Sequence, residues 1–392
     1  MKAPLIVEVI DDVAAWDAIR DDWMSLYRAS PSASTPLDFV WLRCWWEVYG
    51  PVYGAGGLRI VGFWRDARLV AVAPLYLQVS GSGPFAVRCL RFLSTGEEEF
   101  EETCPDYLDL LHLPGEEAAC AESFWDAVAG MEWDRLDLLD LPSRSPLRIA
   151  AEKRGWVRIA PRGSCPIARL DAGFEAYLGN LSSKTRMRAR QEMRKAIQSG
   201  VVLELAGPAE IASCFADLVR LHQARWEAEG KPGCFAAPRF TRFHERLLQE
   251  WPAPERVVLA RVAHAGNALV VLYGFITTGK FDLYQLGVGA AEDTSMHSPG
   301  MAANLLLMER LARQDVGKFD FLRGGSAFKR SLTSDLVELV ALGATRMNPR
   351  MLLAHAQHFG ARLRRRLRRL WRQGFGPTRR RHHEESDRRK PA

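Results

Sequence analysis

The alternation of hydrophobic and polar positions predicts a helix followed by a strand hairpin twice along the chain. In the first half, a helix over 36–50 precedes a hairpin over 58–77. In the second half, a helix over 238–251 precedes a hairpin over 256–277. Apolar residues recur every three or four positions in the helices and in short runs in the strands. The matching order and spacing favour a duplicated α/β unit, although this arrangement is also common in proteins without a duplication.

The segments between these units are less regular. An apolar stretch at 106–111 predicts a strand, and the proline- and glycine-containing segment 161–166 predicts a crossover between the two halves. A basic helix is predicted over 183–199, where six arginines and lysines accompany the single acidic residue Glu192. We interpret this helix as a solvated face, with anionic substrate or lipid headgroups as the alternative partners.

A strand at 281–288 leads through a turn-rich loop into Ser298, Pro299 and Gly300, where a helix begins. The N–H groups of a first helical turn lack partners, and the helix dipole favours an anion there. Proline suits the first helical position, and glycine lets a phosphate approach the backbone closely. A helix start alone is more often only a cap. Here Gly287 near the end of the strand favours a ligand crevice, because open strand ends next to each other form such sites.

Four short motifs resemble the FemAB-like, CelD-type acetyltransferases of the GNAT superfamily. They are Leu221-His222-Gln223-Ala224-Arg225-Trp226, His297-Ser298-Pro299-Gly300, Asp320-Phe321-Leu322-Arg323-Gly324 and Phe328-Lys329. The resemblance implies an α/β fold of two tandem GNAT-like mixed-sheet units with flanking helices, and acyl-CoA pyrophosphate at the helix start. The chain departs from the pattern at Gly287-Val288-Gly289, which lacks the full glycine spacing. It departs again at Gly325-Ser326-Ala327, where relatives often carry an acidic residue, so the catalytic base stays open.

The candidate catalytic residues are Lys329, His222 and Asp320. An ammonium at Lys329 could bind phosphate or stabilise the oxyanion of a tetrahedral intermediate, and its alternative is a surface charge. A neutral imidazole at His222 could accept a proton from an amine, whereas a packed core histidine is equally plausible. Asp320 could simply pair with Arg323.

The candidate binding residues form two groups. Donor binding is assigned to Gly287, Ser298, Pro299, Gly300 and Arg323. Acceptor binding is assigned to Arg225, Trp226, Asp106 and Tyr107, with a solvated arginine and turn capping as the alternatives. No metal site is expected, because the seven cysteines are scattered and form no C-x-x-C pair. The same cysteine pattern indicates a reducing, cytoplasmic compartment.

The positive net charge belongs to the C-terminal segment. Residues 350–392 hold fourteen Arg and Lys against three Asp and Glu, a net +11, so residues 1–349 carry −5 of the chain's +6. A leucine-, phenylalanine- and tryptophan-lined helix with an arginine face is predicted at 350–372, followed by a disordered tail. Such a helix could lie on the inner face of an anionic membrane. The acidic body argues against nucleic acid as a partner.

Together with these observations, the GNAT resemblance implies three regions and one main activity. The regions are a first GNAT-like domain at 1–170 on the acceptor side, a second at 171–347 that binds acyl-CoA, and a basic helix and tail at 348–392. The predicted activity is transfer of an acyl group from acyl-CoA to an amine of a small molecule, lipid or envelope-polysaccharide precursor. The alternatives are a FemAB-like aminoacyl transferase that uses aminoacyl-tRNA, and a non-catalytic scaffold in exopolysaccharide synthesis.

Overall fold

The computed structural model describes residues 3–289, 294–324, 326–333 and 335–348. Within these ranges the chain forms fourteen strands and eleven α-helices. The strands are β1 (Ile6–Ile10), β2 (Ile60–Arg65), β3 (Arg68–Ala73), β4 (Leu75–Ser80), β5 (Val87–Phe92), β6 (Leu111–His112), β7 (Arg135–Pro142), β8 (Arg158–Arg169), β9 (Val202–Leu205), β10 (Val257–His264), β11 (Asn267–Thr277), β12 (Lys280–Val288), β13 (Lys318–Asp320) and β14 (Asp335–Thr345). The helices are α1 (Val13–Ala18), α2 (Arg20–Ala29), α3 (Phe39–Tyr53), α4 (Glu117–Gly130), α5 (Pro146–Ala151), α6 (Phe174–Asn180), α7 (Ser183–Gln198), α8 (Ile211–Ala228), α9 (Pro238–Glu250), α10 (Pro299–Ala312) and α11 (Ala327–Ser331).

The strands form two sheets, a small antiparallel one and a large mixed one. A four-stranded sheet has the order β1-β2-β3-β6, and a ten-stranded sheet has the order β4-β5-β7-β14-β8-β13-β12-β11-β10-β9. Pro74 separates β3 from β4, so the predicted second strand of the first hairpin is divided between the two sheets. The matching hairpin β10–β11 stays within the large sheet.

The two halves share one continuous sheet because β14 returns to the first half. It pairs antiparallel with β7 on one side and with β8 on the other, and β8 in turn pairs with β13. The predicted crossover at 161–166 is therefore wrong, since these residues lie inside β8. Pro161, Gly163 and Pro166 hide the strand pattern, because prolines and glycines are normally scarce inside sheets. The predicted strand at 106–111 is also wrong except for its last residue: Asp106 and Tyr107 form a turn.

Helices cover both faces of the second half of the large sheet. On one face, α6, α7 and α10 share a buried cluster with β11 to β13, and on the other, α8 and α9 pack against β10 to β12. Aromatic contacts connect this second face to the first half. The ring of Trp41 in α3 meets Phe243 of α9 edge-on at 4.9 Å and Phe275 of β11 at 5.5 Å. Such edge-to-face pairs stabilise packing beyond the area they bury.

Candidate active site

Strands β12 and β13 diverge in the centre of the second half. They pair in parallel over only three positions, from Lys280 with Lys318 to Asp282 with Asp320, although β12 continues to Val288. Beyond Asp282, β12 keeps its partner β11 but has no paired strand on its other side in the described part of the chain. Its backbone N–H and C=O groups on that side can therefore pair with an extended ligand, as an exposed sheet edge does.

Helix α10 begins beside this open edge. A Cβ placed on Gly300 would lie 3.7 Å from Val288 Cγ2 and 4.0 Å from Leu286 Cδ2, so the first turn of α10 lies over the end of β12. Ser298 is the N-cap residue and Pro299 is at the first helical position, as the sequence predicts. The two residues and Gly300 are half-buried, which leaves this turn accessible.

The loop before α10 is held by helix α7. The carboxylate of Glu192 accepts the N–H groups of His297 at 3.0 Å and Ser298 at 2.9 Å. Arg188 donates to the hydroxyl of Ser298 at 2.7 Å. The N–H of Ser298 is therefore already bonded within the protein, and a donor phosphate would have to use the turn that follows it. The basic helix is thus not only a solvated face.

Gly287 allows α8 to pack closely against the opposite face of β12. A Cβ at this position would lie 2.9 Å from Leu221 Cβ and 3.0 Å from the carbonyl oxygen of Leu218, both in α8. Any side chain there would push α8 away from the sheet. Because side chains alternate along a strand, Gly287 faces α8 while its neighbours face α10. The geometry gives it no contact with the start of α10.

Lys329 lies at the point where the two strands separate. Its ammonium donates to the carbonyl oxygen of Phe321 at 2.6 Å and lies 3.5 Å from that of Arg323, in the loop that follows β13. Burial lowers the pKa of Lys329, while nearby acidic groups oppose the shift. An ammonium has three hydrogens, so one stays available for a ligand oxygen. Lys329 is therefore a half-buried group tied to the crevice rather than a surface charge.

Asp106, a residue of the first half, contacts the same loop. Its Oδ2 accepts the N–H of Arg323 at 2.6 Å. Its Oδ1 forms an ion pair with Arg323 Nε at 3.3 Å but accepts no hydrogen bond from the described residues. Burial raises the pKa of Asp106 to about 7, against the effect of Arg323. Asp106 also lines a cavity of about 10 Å³ together with Tyr284 of β12 and Leu322. The carboxylate thus lies at a small buried cavity between the first half and β12, next to the loop that follows β13.

A buried ionic cluster lies where β12 and β13 are still paired. Lys280 contacts Asp282 at 2.6 Å and Asp320 at 3.4 Å, and Tyr107 donates to Asp320 at 2.6 Å. Burial alone would lower the pKa of Lys280, but the two carboxylates raise it above its ordinary value. Thr35 of the first half donates to Asp282 at 2.7 Å. The cluster joins the halves, since buried charges need partners of opposite sign.

This cluster changes the interpretation of Asp320 and Tyr107. The second oxygen of Asp320 accepts the N–H of Leu322 at 2.8 Å, so the carboxylate is fully engaged. Its pairing with Arg323 does not occur; Arg323 contacts Asp106 and Asp140 instead, the latter at 2.9 Å. Asp320 therefore positions the loop that carries Arg323. Lys280, Asp282 and Asp140 were not predicted, because each is an isolated charge in a strand and only pairing across strands brings them together.

His222 is engaged within its own helix. Its Nε2 accepts the indole N–H of Trp226 at 2.9 Å, and its Nδ1 lies 3.2 Å from Gln223 Oε1. Burial lowers its pKa, which favours the neutral imidazole that both contacts require. Since Nε2 already accepts a hydrogen bond, His222 has no free lone pair for a substrate proton. The described contacts do not join it to Lys329 or Asp106.

The contacts of Arg225 and Trp226 in the described residues are local and do not include the strand opening. Arg225 is exposed and pairs with Glu229 one turn later at 3.4 Å. Trp226 donates to His222, and the ammonium of Lys231 lies 5.1 Å from its ring. Both acceptor-side assignments stay predictions, and the geometry gives each residue a local partner.

Two predictions concern other parts of the chain. The amphipathic helix at 350–372 and the tail lie outside the described residues. Among the described helices, none combines the length and the apolar character that a bilayer crossing requires. The described residues also contain no cluster of three His, Cys, Asp or Glu side chains arranged to hold a metal ion.

Comparison with known proteins finds a family match for the part of the chain that contains this geometry. Residues 183–330 match the family model described as an acetyltransferase (GNAT) domain. FemX has a similar structure, with a TM-score of 0.56 and 10% identity over 85% of this chain and 96% of that chain. A conserved protein of unknown function from Bacteroides thetaiotaomicron gives a TM-score of 0.53 at 12% identity, over 87% of this chain and 100% of its own. No match was found among curated protein sequences.

These similarities confirm the fold and enzyme class that the motifs predict. The GNAT match includes α7, the divergent strands β12 and β13, the start of α10 and Lys329. The FemX similarity extends over most of the chain, so the shared fold includes both halves. The division at residues 170 and 347, and the role of each site residue, stay predictions.

Proposed function

We propose that this chain, a FemAB-like N-acyltransferase of the GNAT superfamily, transfers an acyl group from acyl-CoA to an amine. The proposal depends mainly on the opening between β12 and β13 beside the start of α10, with Lys329 and Asp106 both bonded to the loop that follows β13. The open edge of β12 suits the amide groups of a pantetheine arm, and the first turn of α10 suits its diphosphate. The acceptor is an amine of a small molecule, lipid or envelope-polysaccharide precursor.

Direct transfer requires no covalent intermediate on the protein. The amine nitrogen attacks the thioester carbonyl carbon, and a negative charge develops on the carbonyl oxygen. The carbon–sulfur bond then breaks, CoA leaves as a thiolate, and the amine nitrogen gives up a proton. Positioning of the two substrates supplies much of the acceleration, and the protein must also accept that proton and stabilise the oxyanion.

The side chains at the opening suit these two tasks. Asp106 is a better proton acceptor than His222, because its pKa is raised to about 7 and its Oδ1 has no hydrogen bond in the described residues. A base with a pKa near the working pH is the most effective one. Lys329 suits the oxyanion, since its ammonium is anchored on Phe321 and retains a free hydrogen. His222 becomes a positioning residue for Trp226.

A second candidate function is aminoacyl transfer from aminoacyl-tRNA. It is favoured by the exposed cations of α7, of which Arg188, Arg190 and Arg194 face solvent. Polyanions bind such surfaces, and the affinity falls steeply as salt is added. The net charge of −5 on residues 1–349 favours a smaller donor. Release of a free thiol from acetyl-CoA in the presence of amine acceptors would distinguish the two functions.

Acyl-CoA is expected to bind the parent protein, and Gly300→Val is expected to weaken that binding at least about tenfold. The loss of one charge-assisted hydrogen bond produces an effect of this size. A Cβ at Gly300 meets no atom closer than 3.7 Å, so the fold is expected to tolerate the change. Isothermal titration with acetyl-CoA and a long-chain acyl-CoA measures both proteins.

Gly130→Val is the matched control, because a Cβ at Gly130 meets nothing within 4 Å and the residue ends α4 in the first half. It is expected to bind like the parent. The donor assignment is wrong if the parent protein binds neither acyl-CoA. The helix-start assignment alone is wrong if Gly300→Val binds as the parent does.

Removal of residues 350–392 is expected to abolish sedimentation with anionic liposomes and to leave the remaining chain folded. The segment carries a net +11 and an apolar stripe, and each basic residue near an anionic surface contributes about 1 kcal/mol. Sedimentation at physiological salt and thermal unfolding measure the two effects. A fall in thermal stability would indicate a docked helix instead, and binding of the intact protein to DNA but not to liposomes would exclude the membrane role.

A further inference from the structure

Helix α7 exposes one of its sides to solvent along its whole length. The side that packs on the protein contains its buried residues, namely Ala189, Glu192, Met193 and Ala196. At about 3.6 residues per turn, the exposed residues form one continuous arc on the other side. This outer face of α7 consists of Ser183, Lys184, Met187, Arg188, Arg190, Gln191, Arg194, Ile197 and Gln198.

Two large apolar side chains lie on the outer face. Met187 and Ile197 are each 65% exposed, whereas Met193 on the packed side is 9% exposed. The two residues lie about 15 Å apart along the helix axis, on the same side of the helix. Apolar side chains at both ends of an exposed helix suit a bilayer, because an amphipathic helix on a membrane buries them at the boundary between headgroups and acyl chains.

The outer face also carries cations that lack acidic partners. Arg190 pairs with Glu175 of α6 at 3.0 Å, but no carboxylate of the described residues forms an ion pair with Lys184 or Arg194. The acidic residue of α7 itself, Glu192, is buried and accepts backbone N–H groups of the loop before α10. The outer face is therefore positively charged and complementary to an anionic surface.

We propose that the outer face of α7 lies on an anionic lipid bilayer. Lys184, Arg190 and Arg194 contact the headgroups, and Met187 and Ile197 insert between them. The cations alone would also attract RNA, but the two exposed apolar side chains favour a bilayer, which has an apolar layer beneath its charges.

This surface is distinct from residues 350–392, for which the sequence predicts a membrane contact of its own. Two linked contacts with one bilayer reinforce each other, so the loss of either one weakens binding strongly. The combination is more selective than a basic tail alone, because it requires the folded second half to meet the membrane in one orientation.

That orientation places the start of α10 beside the bilayer. Helix α7 holds the loop before α10 through Glu192 and contacts the Ser298 hydroxyl through Arg188 at 2.7 Å. Among the acceptor classes proposed above, a lipid amine is therefore the one that such a placement favours. This consequence rests on the proposed function, whereas the membrane contact itself does not.

The first test removes charge from the outer face in the full chain. Lys184→Gln combined with Arg194→Gln is expected to weaken binding to liposomes of phosphatidylglycerol and phosphatidylcholine about 10- to 30-fold, since each basic residue at an anionic surface contributes about fivefold. Lipid titration at physiological salt, without acyl-CoA or amine, measures the affinity. Arg68→Gln combined with Arg158→Gln is the matched control, because it removes two exposed arginines from β3 and β8. It is expected to bind as the parent does.

The second test removes the apolar side chains and keeps the charge. Met187→Gln combined with Ile197→Gln is expected to weaken liposome binding at least about tenfold, and glutamine is compatible with a helix. Val52→Gln combined with Ile149→Gln is the matched control, since these side chains are 48% and 49% exposed in α3 and α5. Thermal unfolding of every variant is expected to match the parent, because the changed side chains are exposed.

The proposal is wrong if the parent does not bind these liposomes, or if both α7 variants bind them as the parent does. Every protein in the test keeps residues 350–392, so equal binding would assign the membrane contact to that segment alone. A loss in the charge variant only would exclude insertion of Met187 and Ile197. Binding of the parent to RNA but not to liposomes, lost in the charge variant, would assign the outer face to RNA. None of these outcomes bears on acyl transfer, because the assay contains no donor and no acceptor.

Discussion

Asp106→Asn is expected to lower kcat about 10²- to 10⁴-fold, the range that a general base contributes. The amide cannot accept a proton from the attacking amine, yet it retains the shape of the carboxyl and can still accept the N–H of Arg323. The measurement is thiol release from acetyl-CoA with a saturating amine acceptor. Donor affinity, measured separately, is expected to stay close to that of the parent, because the change concerns the proton and not the donor.

The pH dependence provides an independent check. Burial raises the pKa of Asp106 to about 7, and the ionised carboxylate is the active form. In the parent, kcat/KM is therefore expected to rise with pH up to about 7 and then to level off. Asp106→Asn is expected to lose this rise. A parent profile that is flat between pH 5.5 and 8 would argue against Asp106 as the base.

Asp109→Asn is the matched control for this change. Asp109 is also buried, and burial likewise raises its pKa to about 7. Its Oδ1 accepts the hydroxyl of Ser145 at 2.6 Å and the N–H of Leu110 at 2.8 Å, so it is engaged within the first half. Its replacement is expected to affect stability but not the pH profile. Equal losses of activity in the two variants would indicate a shared structural effect.

Lys329→Ala is expected to lower kcat about 10²- to 10³-fold, as the loss of one oxyanion donor does. The ammonium is anchored on the Phe321 carbonyl at 2.6 Å, so the charge has a fixed place at the strand opening. The same thiol-release assay measures the loss. Lys329→Arg is expected to restore part of the activity, since it keeps the positive charge in a different geometry.

Lys153→Ala provides the control for a surface charge. Lys153 is 71% exposed in its side chain and pairs with Glu122 in the first half. It is expected to retain the activity and the thermal stability of the parent. If Lys329→Ala and Lys153→Ala have equal activity, Lys329 is a structural residue of the loop. If Lys329→Ala unfolds at a much lower temperature, the recovery in Lys329→Arg becomes the deciding measurement.

The local elements of the second half follow directly from the sequence pattern. The helix predicted from Ser298-Pro299-Gly300 begins at Pro299, and the basic helix over 183–199 ends at Gln198. These elements have strong local signals, namely caps, periodic apolar positions and a closing glycine. The motifs at 297–300 and 320–329 also locate the crevice, because they follow strands that end at the same edge.

The strand order of the large sheet depends on long-range contacts that cannot be read from the sequence pattern. β8 contains two prolines and a glycine, and β14 pairs with β7, a strand of the first half whose paired residues lie 197 to 210 positions earlier in the chain. Such pairing is decided by the tertiary arrangement, since strand preference depends on the neighbours more than on the residues themselves. The shared sheet brings Asp106 of the first half to the loop of Arg323.

The site residues likewise divide into those that the sequence indicates and those that only the tertiary structure identifies. The sequence by itself indicated the GNAT-type class, the helix start at which we predict donor binding, and Lys329 as a charged group beyond a strand, because motif order and helix caps are local properties. Only the tertiary structure singles out the carboxylate that we propose as the base. Burial raises the pKa of Asp106, and specific partners in the folded chain engage His222 and Asp320.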